Sequence, residues 1–375
     1  VQLTIKIKLM TTQAMDQVLL DLLRRINAAS TYTALIAKST GTFNGYKLRA
    51  LVYNDLKTNY LLGASMAGTA ALRAAKAYAN KKQRGRTVRF DKKSAIPLDR
   101  NTFTYKKNNI VSIWTPAGRL KIPFHCYKEV PLSSKIEAKL VLQDGVFYIH
   151  QPVEVEVQEQ LAPTEYLGVD LGIKNIAVTS DGTVYSGALL NSLRRRNLRL
   201  RRKLQKKQTK SAKRLLKKRS KKEARFANDV NHCISKKIVQ KAKDTLQGIA
   251  IEDLKNIRKR LGRKPKGGKQ KQPKQCITVS KPQRTALSSW SFFQLRSYIE
   301  YKALVAGIPV VTVFPHYTSQ RCSACGYIHK ANRKTRDVFI CNQCGYTACA
   351  DYNAACNISY VASGGVRLSP VRGGL

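Results

Sequence analysis

Residues 1 to 9, VQLTIKIKL, alternate apolar and polar side chains, the period of a half-buried strand. From Met15 the period lengthens: Met15, Val18, Leu19, Leu22, Leu23 and Ile26 recur every three or four residues and mark one face of a helix. Further helical stretches follow around Tyr46 to Tyr60 and Leu61 to Lys82. After Arg86 the pattern returns to short β-branched or aromatic runs: Thr87 to Phe90, Thr102 to Tyr105, Ile110 to Trp114, Arg119 to Ile122, Ala138 to Leu142 and Val146 to His150. Pairs such as Asn108-Asn109 and Asp144-Gly145 suit tight hairpin turns. The pattern predicts a small antiparallel β-barrel, its first strand separated from the rest by an insertion of helices.

A different rhythm starts near Leu161. Strands are expected at Tyr166 to Asp170, Ile173 to Thr179, near Val184, at Gly248 to Glu252 and at Ile308 to Phe314, with an amphipathic helix over Trp290 to Val305. Trp290, Phe293 and Leu295 read as core. The uncharged run Ala303 to Gln320 is interrupted by Pro309 and Pro315, and Thr58 to Leu72 is rich in Ala and Gly. Neither suits a membrane span, so no membrane association is expected.

Charge changes the picture. Lys and Arg number 69 against 22 Asp and Glu, a formal excess of +47, in a chain that is 43% hydrophobic. Such a chain folds and holds its charge against a polyanion. Between Asn191 and Arg225 stand 18 basic residues and one acid, Glu223, with leucines at helical spacing. This reads as a mostly polar helix lying along phosphates, with Arg194, Arg195, Arg196, Arg199, Arg201, Arg202, Lys203, Lys206 and Lys207 as candidate contacts and Lys302 as a further one. Leu254 to Arg284 carries 12 basic residues and no acid, and its segment GRKPKGGKQKQPK reads as a disordered or induced-fit loop.

Cys322, Cys325, Cys341 and Cys344 form C-x2-C-x15-C-x2-C, with Gly326 and Gly345 directly after each pair. Two such knuckles bring four thiolates into a tetrahedron, the pattern of one structural Zn2+. Four sulfurs close the site, so His316 and His329 are bystanders, and Cys349 and Cys356 read as small core residues. Cysteines paired in this way suit a reducing, cytoplasmic setting.

Carboxylates are scarce, so their positions carry information. Asp170 ends the apolar run YLGVD, Glu252 ends GIAIE, and Asp351 opens the helical stretch ADYNAACNI. Singly, an acid at a strand end serves as often as a cap or an ion-pair partner. Three that converge on one sheet edge can hold two divalent ions, Mg2+ or Mn2+, and act on a phosphodiester.

In order along the chain, "GVDLGIKNIAV", "IAIEDLKN", "TSQRCSACG" and "CADYNAACNI" resemble the split RuvC nuclease of the TnpB family, insertion-sequence proteins related to compact type V CRISPR effectors and to Fanzor proteins. The resemblance spans about Tyr166 to Val361. It implies a multidomain α+β chain: a wedge-type β-barrel at 1–10 and 86–160 and a helical recognition insertion at 11–85. A ribonuclease H-like RuvC α/β domain would follow at 161–318 and 348–361, with a zinc ribbon inserted at 319–347 and a tail at 362–375. It implies that Asp170, Glu252 and Asp351 are metal-binding catalytic acids. It further implies a guide RNA from the transposon end and double-stranded target DNA as partners, with a short target-adjacent motif, in a bacterium or archaeon; a monomer is favoured, with the oligomeric state left open. An RNA-guided DNA-binding repressor without cleavage is the main alternative. A strand-transfer transposase would need a second activity, and a ribosomal-type zinc ribbon leaves the barrel and helices unexplained.

Overall fold

The computed structural model describes residues 1–80, 84–127, 132–254, 261–262, 277–278 and 280–365. The segment read as an induced-fit loop lies almost wholly outside these residues, as does most of the tail. The chain divides into two compact units, Val1–Val155 and Glu156–Leu375.

In the first unit β1 (Gln2–Leu9) leads into α1 (Gln13–Thr40), α2 (Gly45–Thr58) and α3 (Ala64–Ala77). Thr12 caps α1 by accepting a hydrogen bond from the Met15 N–H at 3.3 Å, and Gly41 ends it in the left-handed region. Strands β2 (Ile96–Leu98), β3 (Phe103–Lys106), β4 (Ile110–Thr115), β5 (Gly118–His125), β6 (Ala138–Gln143) and β7 (Val146–Glu154) complete a seven-stranded antiparallel sheet in the order β2-β6-β7-β1-β5-β4-β3. The two edge strands, β2 and β3, are consecutive in the chain and share one core with α1, α2 and α3, so the sheet is a nearly closed barrel. Asn108, Asn109, Asp144 and Gly145 all have positive φ, as the two hairpin turns require.

Thr87 to Phe90 is not a strand. Val88 and Phe90 pack against a small cluster of helix residues around Leu48 and Tyr78. Their N–H groups donate to the Tyr78 hydroxyl at 3.2 Å and the Thr31 hydroxyl at 3.0 Å, so side chains satisfy backbone donors that a ladder would otherwise take.

The second unit contains β8 (Tyr166–Asp170), β9 (Asn175–Thr179), β10 (Val184–Ser186), α4 (Ala188–Lys207), α5 (Lys210–Asp244) and β11 (Gly248–Glu252). There follow the two-residue strands β12 (Leu261–Gly262) and β13 (Ile277–Thr278), then α6 (Lys281–Ser289), α7 (Phe292–Val305) and β14 (Val310–Val313). Strands β15 (Val338–Ile340) and β16 (Thr347–Cys349) form a small ribbon before α8 (Ala350–Ala362). The main sheet runs β10-β9-β8-β11-β14, with β8, β11 and β14 parallel. β14 lies on its edge and only its Val313 is buried, so this strand is half open.

Alternate residues of each strand face opposite ways. Leu167, Val169, Ile249 and Ile251 pack against α5 and α7, through Ile238, Leu295 and Ile299. Ala250 and Val313 face α8 through Ile358. Gly168 also lies beneath α8, and a Cβ there would meet the Ala355 carbonyl oxygen at 2.1 Å. Only glycine lets the helix come so close, and that approach brings the start of α8 over the strand ends.

Two sequence expectations shift here. The basic helix is a hairpin of two helices: Gln208 adopts φ 50° and the Thr209 hydroxyl caps α5 at 3.2 Å from the Ala212 nitrogen. On α7 the buried aromatic is Phe292, while Phe293 is 66% exposed, because the inward face runs Phe292, Leu295, Ile299, Ala303. Among the described residues no helix is long and apolar enough to cross a membrane.

Candidate functional site

Asp170 follows Val169, which pairs with Ile251, and Glu252 follows Ile251, so the two acids end neighbouring parallel strands at one level. Each lies two residues beyond a residue on the α8 side, Gly168 and Ala250, and so projects to that same side. Asp351 sits in the first turn of α8. The structure brings together the three acids that lie far apart in the sequence.

Their surroundings are built for carboxylates. The Thr318 hydroxyl donates to Glu252 Oε1 at 2.5 Å, and Asn175 Nδ2 donates to Asp351 Oδ2 at 3.0 Å. Arg333 Nη2 lies 3.8 Å from Asp351 Oδ1. Burial, then the charges of Glu252 and Asp351, push the Asp170 carboxyl up to about 8 despite Arg333. Burial also raises Glu252, against the Thr318 hydrogen bond and Arg333. Three acids facing one guanidinium leave the cluster short of positive charge, a fit for hard divalent cations. The acid oxygens do not all lie within 4.8 Å of one another. Ions about 4 Å apart allow oxygens on opposite ions to be farther apart than that. Thr318, Asn175 and Arg333 were not foreseen, because only folding brings them to the acids.

The four cysteine sulfurs do lie within 4.8 Å of one another. Cys322 and Cys344 Sγ are 3.7 Å apart and Cys325 and Cys341 Sγ 3.6 Å, close to the roughly 3.8 Å edge of a tetrahedron with ~2.3 Å metal–sulfur bonds. Burial raises the Cys341 thiol, but the N–H groups of Cys344 and Gln343 outweigh it and hold it at about 7, while burial pushes Cys325 up to about 12. The donor set fits a thiophilic divalent metal. His329 Nδ1 instead accepts from the Ala331 N–H at 3.2 Å, and His316 is outside the cluster. Cys349 is exposed rather than core, and Cys356 is half-buried.

Fully buried asparagines tie this module to α8. Asn353 accepts from the Ser323 N–H at 2.9 Å and donates to the Arg321 carbonyl at 2.8 Å. Asn357 donates to the carbonyls of Thr318 and Arg321 and accepts from Arg321 Nη1. Asn332, beside Arg333, donates to the Gln320 carbonyl and accepts from the Asn342 N–H, each at 3.0 Å. The segment bearing Thr318 and the turn bearing Arg333 are thereby fixed against the acids.

Of the basic candidates, Arg195, Arg196, Arg199, Arg201, Arg202, Lys203, Lys206 and Lys207 are exposed along α4, with Arg201 3.2 Å from Glu223. Arg194 is half-buried, and burial lowers its pKa. Lys302 turns inward, donating at 2.6 Å to both the His232 carbonyl and the Ser235 hydroxyl, and ties α7 to α5.

These features define a two-unit protein with a nearly closed barrel, an acid-edged mixed sheet and a four-cysteine centre. Residues 150–258 match the OrfB_IS605 family model, described as "Probable transposase", and residues 292–358 match the "Cas12f1-like, TNB domain" model. The chain is 40% identical over 139 residues to the CRISPR-associated endodeoxyribonuclease Cas12f1 of Sulfoacidibacillus thermotolerans, covering 37% of this chain and 28% of that protein. It is 32% identical over 224 residues to Escherichia coli K12 InsQ, provisionally named an RNA-guided DNA endonuclease, covering 57% of this chain and 53% of that one. Other relatives bear the name TnpB-like protein. The chain thus spans about half or less of the length of these two relatives. A cryo-EM structure of a Cas12f1–sgRNA–target DNA complex superposes with TM-score 0.57 at 16% identity, covering 93% of this chain and 83% of that one, a likeness of fold. The chain carries both family segments, has a Cas12f-like fold and is homologous to TnpB-like and Cas12f proteins.

Proposed function

We propose that this protein is an RNA-guided DNA endonuclease whose second unit is a ribonuclease H-like RuvC domain interrupted by a zinc ribbon. The observation that carries the reading is the meeting of Asp170, Glu252 and Asp351 on one side of one sheet edge, in a chain of net charge +47. The relatives' names point the same way.

Asp170, Glu252 and Asp351 would hold two Mg2+ or Mn2+ ions, which when bound activate water and stabilise the departing oxygen of a phosphodiester. Thr318 and Asn175 fix the rotamers of Glu252 and Asp351, so the carboxylates do not have to be ordered when substrate arrives. Arg333 places a cation beside the acids, where it balances their charge and can face a phosphate oxygen. Cys322, Cys325, Cys341 and Cys344 would hold one structural Zn2+. The exposed basic residues of α4 would follow the backbone of guide RNA or target DNA, with base pairing supplying sequence recognition.

Expression of the chain with its native flanking DNA, followed by sequencing of co-purifying RNA, tests the reading. A defined transcript ending in variable sequence, and Mg2+-dependent cutting of DNA matching that end, is the expected result. Random RNA fragments with no targeted cutting would overturn it.

A further inference from the structure

The strand β14 stops beside Glu252: Val313 pairs with Glu252, and the Asp253 N–H donates to the Val313 carbonyl at 2.8 Å. Five residues later the chain returns to the same acid, where buried Thr318 donates to the Glu252 carboxylate. The hook between these two anchors is Phe314-Pro315-His316-Tyr317, and its three aromatic side chains face solvent. Phe314 is 69% exposed and Tyr317 36%. Tyr317 adopts φ 60°, a left-handed conformation uncommon for a bulky residue, and its carbonyl accepts from the N–H groups of Gln320 and Arg321 at 2.9 Å each. The His316 and Tyr317 ring centroids are 6.4 Å apart with planes inclined by 48°. Phe314 and His316 wall a cleft of about 500 Å³ whose floor is Val311, Val313 and Val361.

An exposed Phe gains nothing for the fold, and the exposed rings of Phe314, His316 and Tyr317, on a segment that leaves Glu252 and returns to it, offer flat, apolar faces. A base within a duplex has both faces stacked already. A base from an unpaired strand has faces free, and aromatic stacking then contributes without regard to sequence. Anchoring the hook at both ends to Glu252 fixes a stacked base relative to the acids.

We propose that Phe314, with His316 and Tyr317, is a base-stacking platform that holds the unpaired DNA strand so that an adjoining phosphate enters the Asp170–Glu252–Asp351 site. This rests on the endonuclease reading above for the identity of the strand.

The test uses the full chain carrying Asp170→Ala to prevent cutting, with a single-stranded oligodeoxynucleotide containing 2-aminopurine, in salt high enough to suppress phosphate contacts. Ultraviolet cross-linking with peptide mapping is expected to capture Phe314 or Tyr317, and Phe314→Ala is expected to weaken binding about tenfold. Phe314→Trp should restore it, and an otherwise identical abasic oligonucleotide should bind both forms alike. Cross-links confined to other segments, an unchanged affinity in Phe314→Ala, or an equal loss with the abasic strand would overturn the platform. Preferential loss with an oligoribonucleotide of the same sequence would overturn its assignment to DNA. The readout is binding, so absence of Mg2+-dependent cutting by the wild-type chain, which would defeat the endonuclease reading, leaves this experiment decisive.

Discussion

Asp170 and Glu252 stand at the same level on adjacent parallel strands, and Asp351 reaches them from a helix that Gly168 lets down onto the sheet. The Asp170 carboxyl is held up at about 8 by burial and by its two acidic neighbours. Asp170→Asn should therefore do two opposite things. DNA cutting in Mg2+ falls to background, while at neutral pH the metal-free protein gains stability, by about 2 °C or more in Tm, because folding no longer has to bury that carboxyl, beside two other acids, in its protonated form. Persistent cutting would remove Asp170 from the site, and a lower Tm would show that the carboxylate is not a burden to the apo fold.

Arg333 gives a separable prediction. Arg333→Gln removes the cation beside Asp351 without emptying the space, and cutting should fall about a hundredfold or more. Affinity for single-stranded nucleic acid should change little, since the exposed basic residues of α4 remain. Kinetics and fluorescence anisotropy on one preparation check both halves.

For the cysteine centre, Cys341→Ser takes away the sulfur that two N–H groups prepare as a thiolate. Bound zinc, measured by elemental analysis, should drop from about one ion per chain to none. Retention of the metal would take Cys341 off the ligand set.

Asn357 links the cysteine module to α8 through two carbonyls and the Arg321 guanidinium. Asn357→Ala takes one hydrogen-bond partner from each of these groups, while the Arg321 carbonyl keeps Asn353, a cost of about 1 to 3 kcal/mol. Hydrogen exchange should speed up around residues 318–323, and cutting should decline with it as Thr318 loosens from Glu252.

The barrel carries its own pH dependence. His150 pairs across the sheet with Lys6 on one side and Lys139 on the other, and its Nε2 is buried without a hydrogen-bond partner. Burial, then the two lysines, lower its pKa below the ordinary 6.5. The unfolded chain thus takes up a proton at higher pH than the folded one. The stability is full above about pH 6.5 and declines as pH falls through the window down to the depressed folded value. Hydrogen exchange of β1, β6 and β7 should accelerate between pH 7.5 and 5.5 after correction for intrinsic rates, and His150→Gln should flatten that trend.

Much of the fold was legible along the chain because strand and helix periods are local. Alternation marked β1, short β-branched or aromatic runs marked β3 to β7, the Asn108-Asn109 and Asp144-Gly145 pairs marked the β3–β4 and β6–β7 hairpins, and rare acids closing apolar runs marked Asp170 and Glu252. Phe292 against Phe293 was not legible, since two adjacent aromatics suit either face until α7 has a sheet to pack on. Nor was the break at Gln208, where basic residues continue on both sides. Val88 and Phe90 look like strand residues, yet hydroxyls from Tyr78 and Thr31 satisfy their backbone.

Residue type and spacing marked the four cysteines, because metal chemistry restricts which side chains serve and how closely they must recur. The three acids stood out only as rare carboxylates at the ends of apolar runs or the start of a helix, and took their metal-binding role from the resemblance to the TnpB family. Thr318, Asn175 and Arg333 became partners of those acids only through packing. Asn175 and Asp351 lie 176 positions apart, and no local period encodes such a contact. It arises because Gly168 admits α8 against the sheet and buried asparagines fasten the cysteine module beside it.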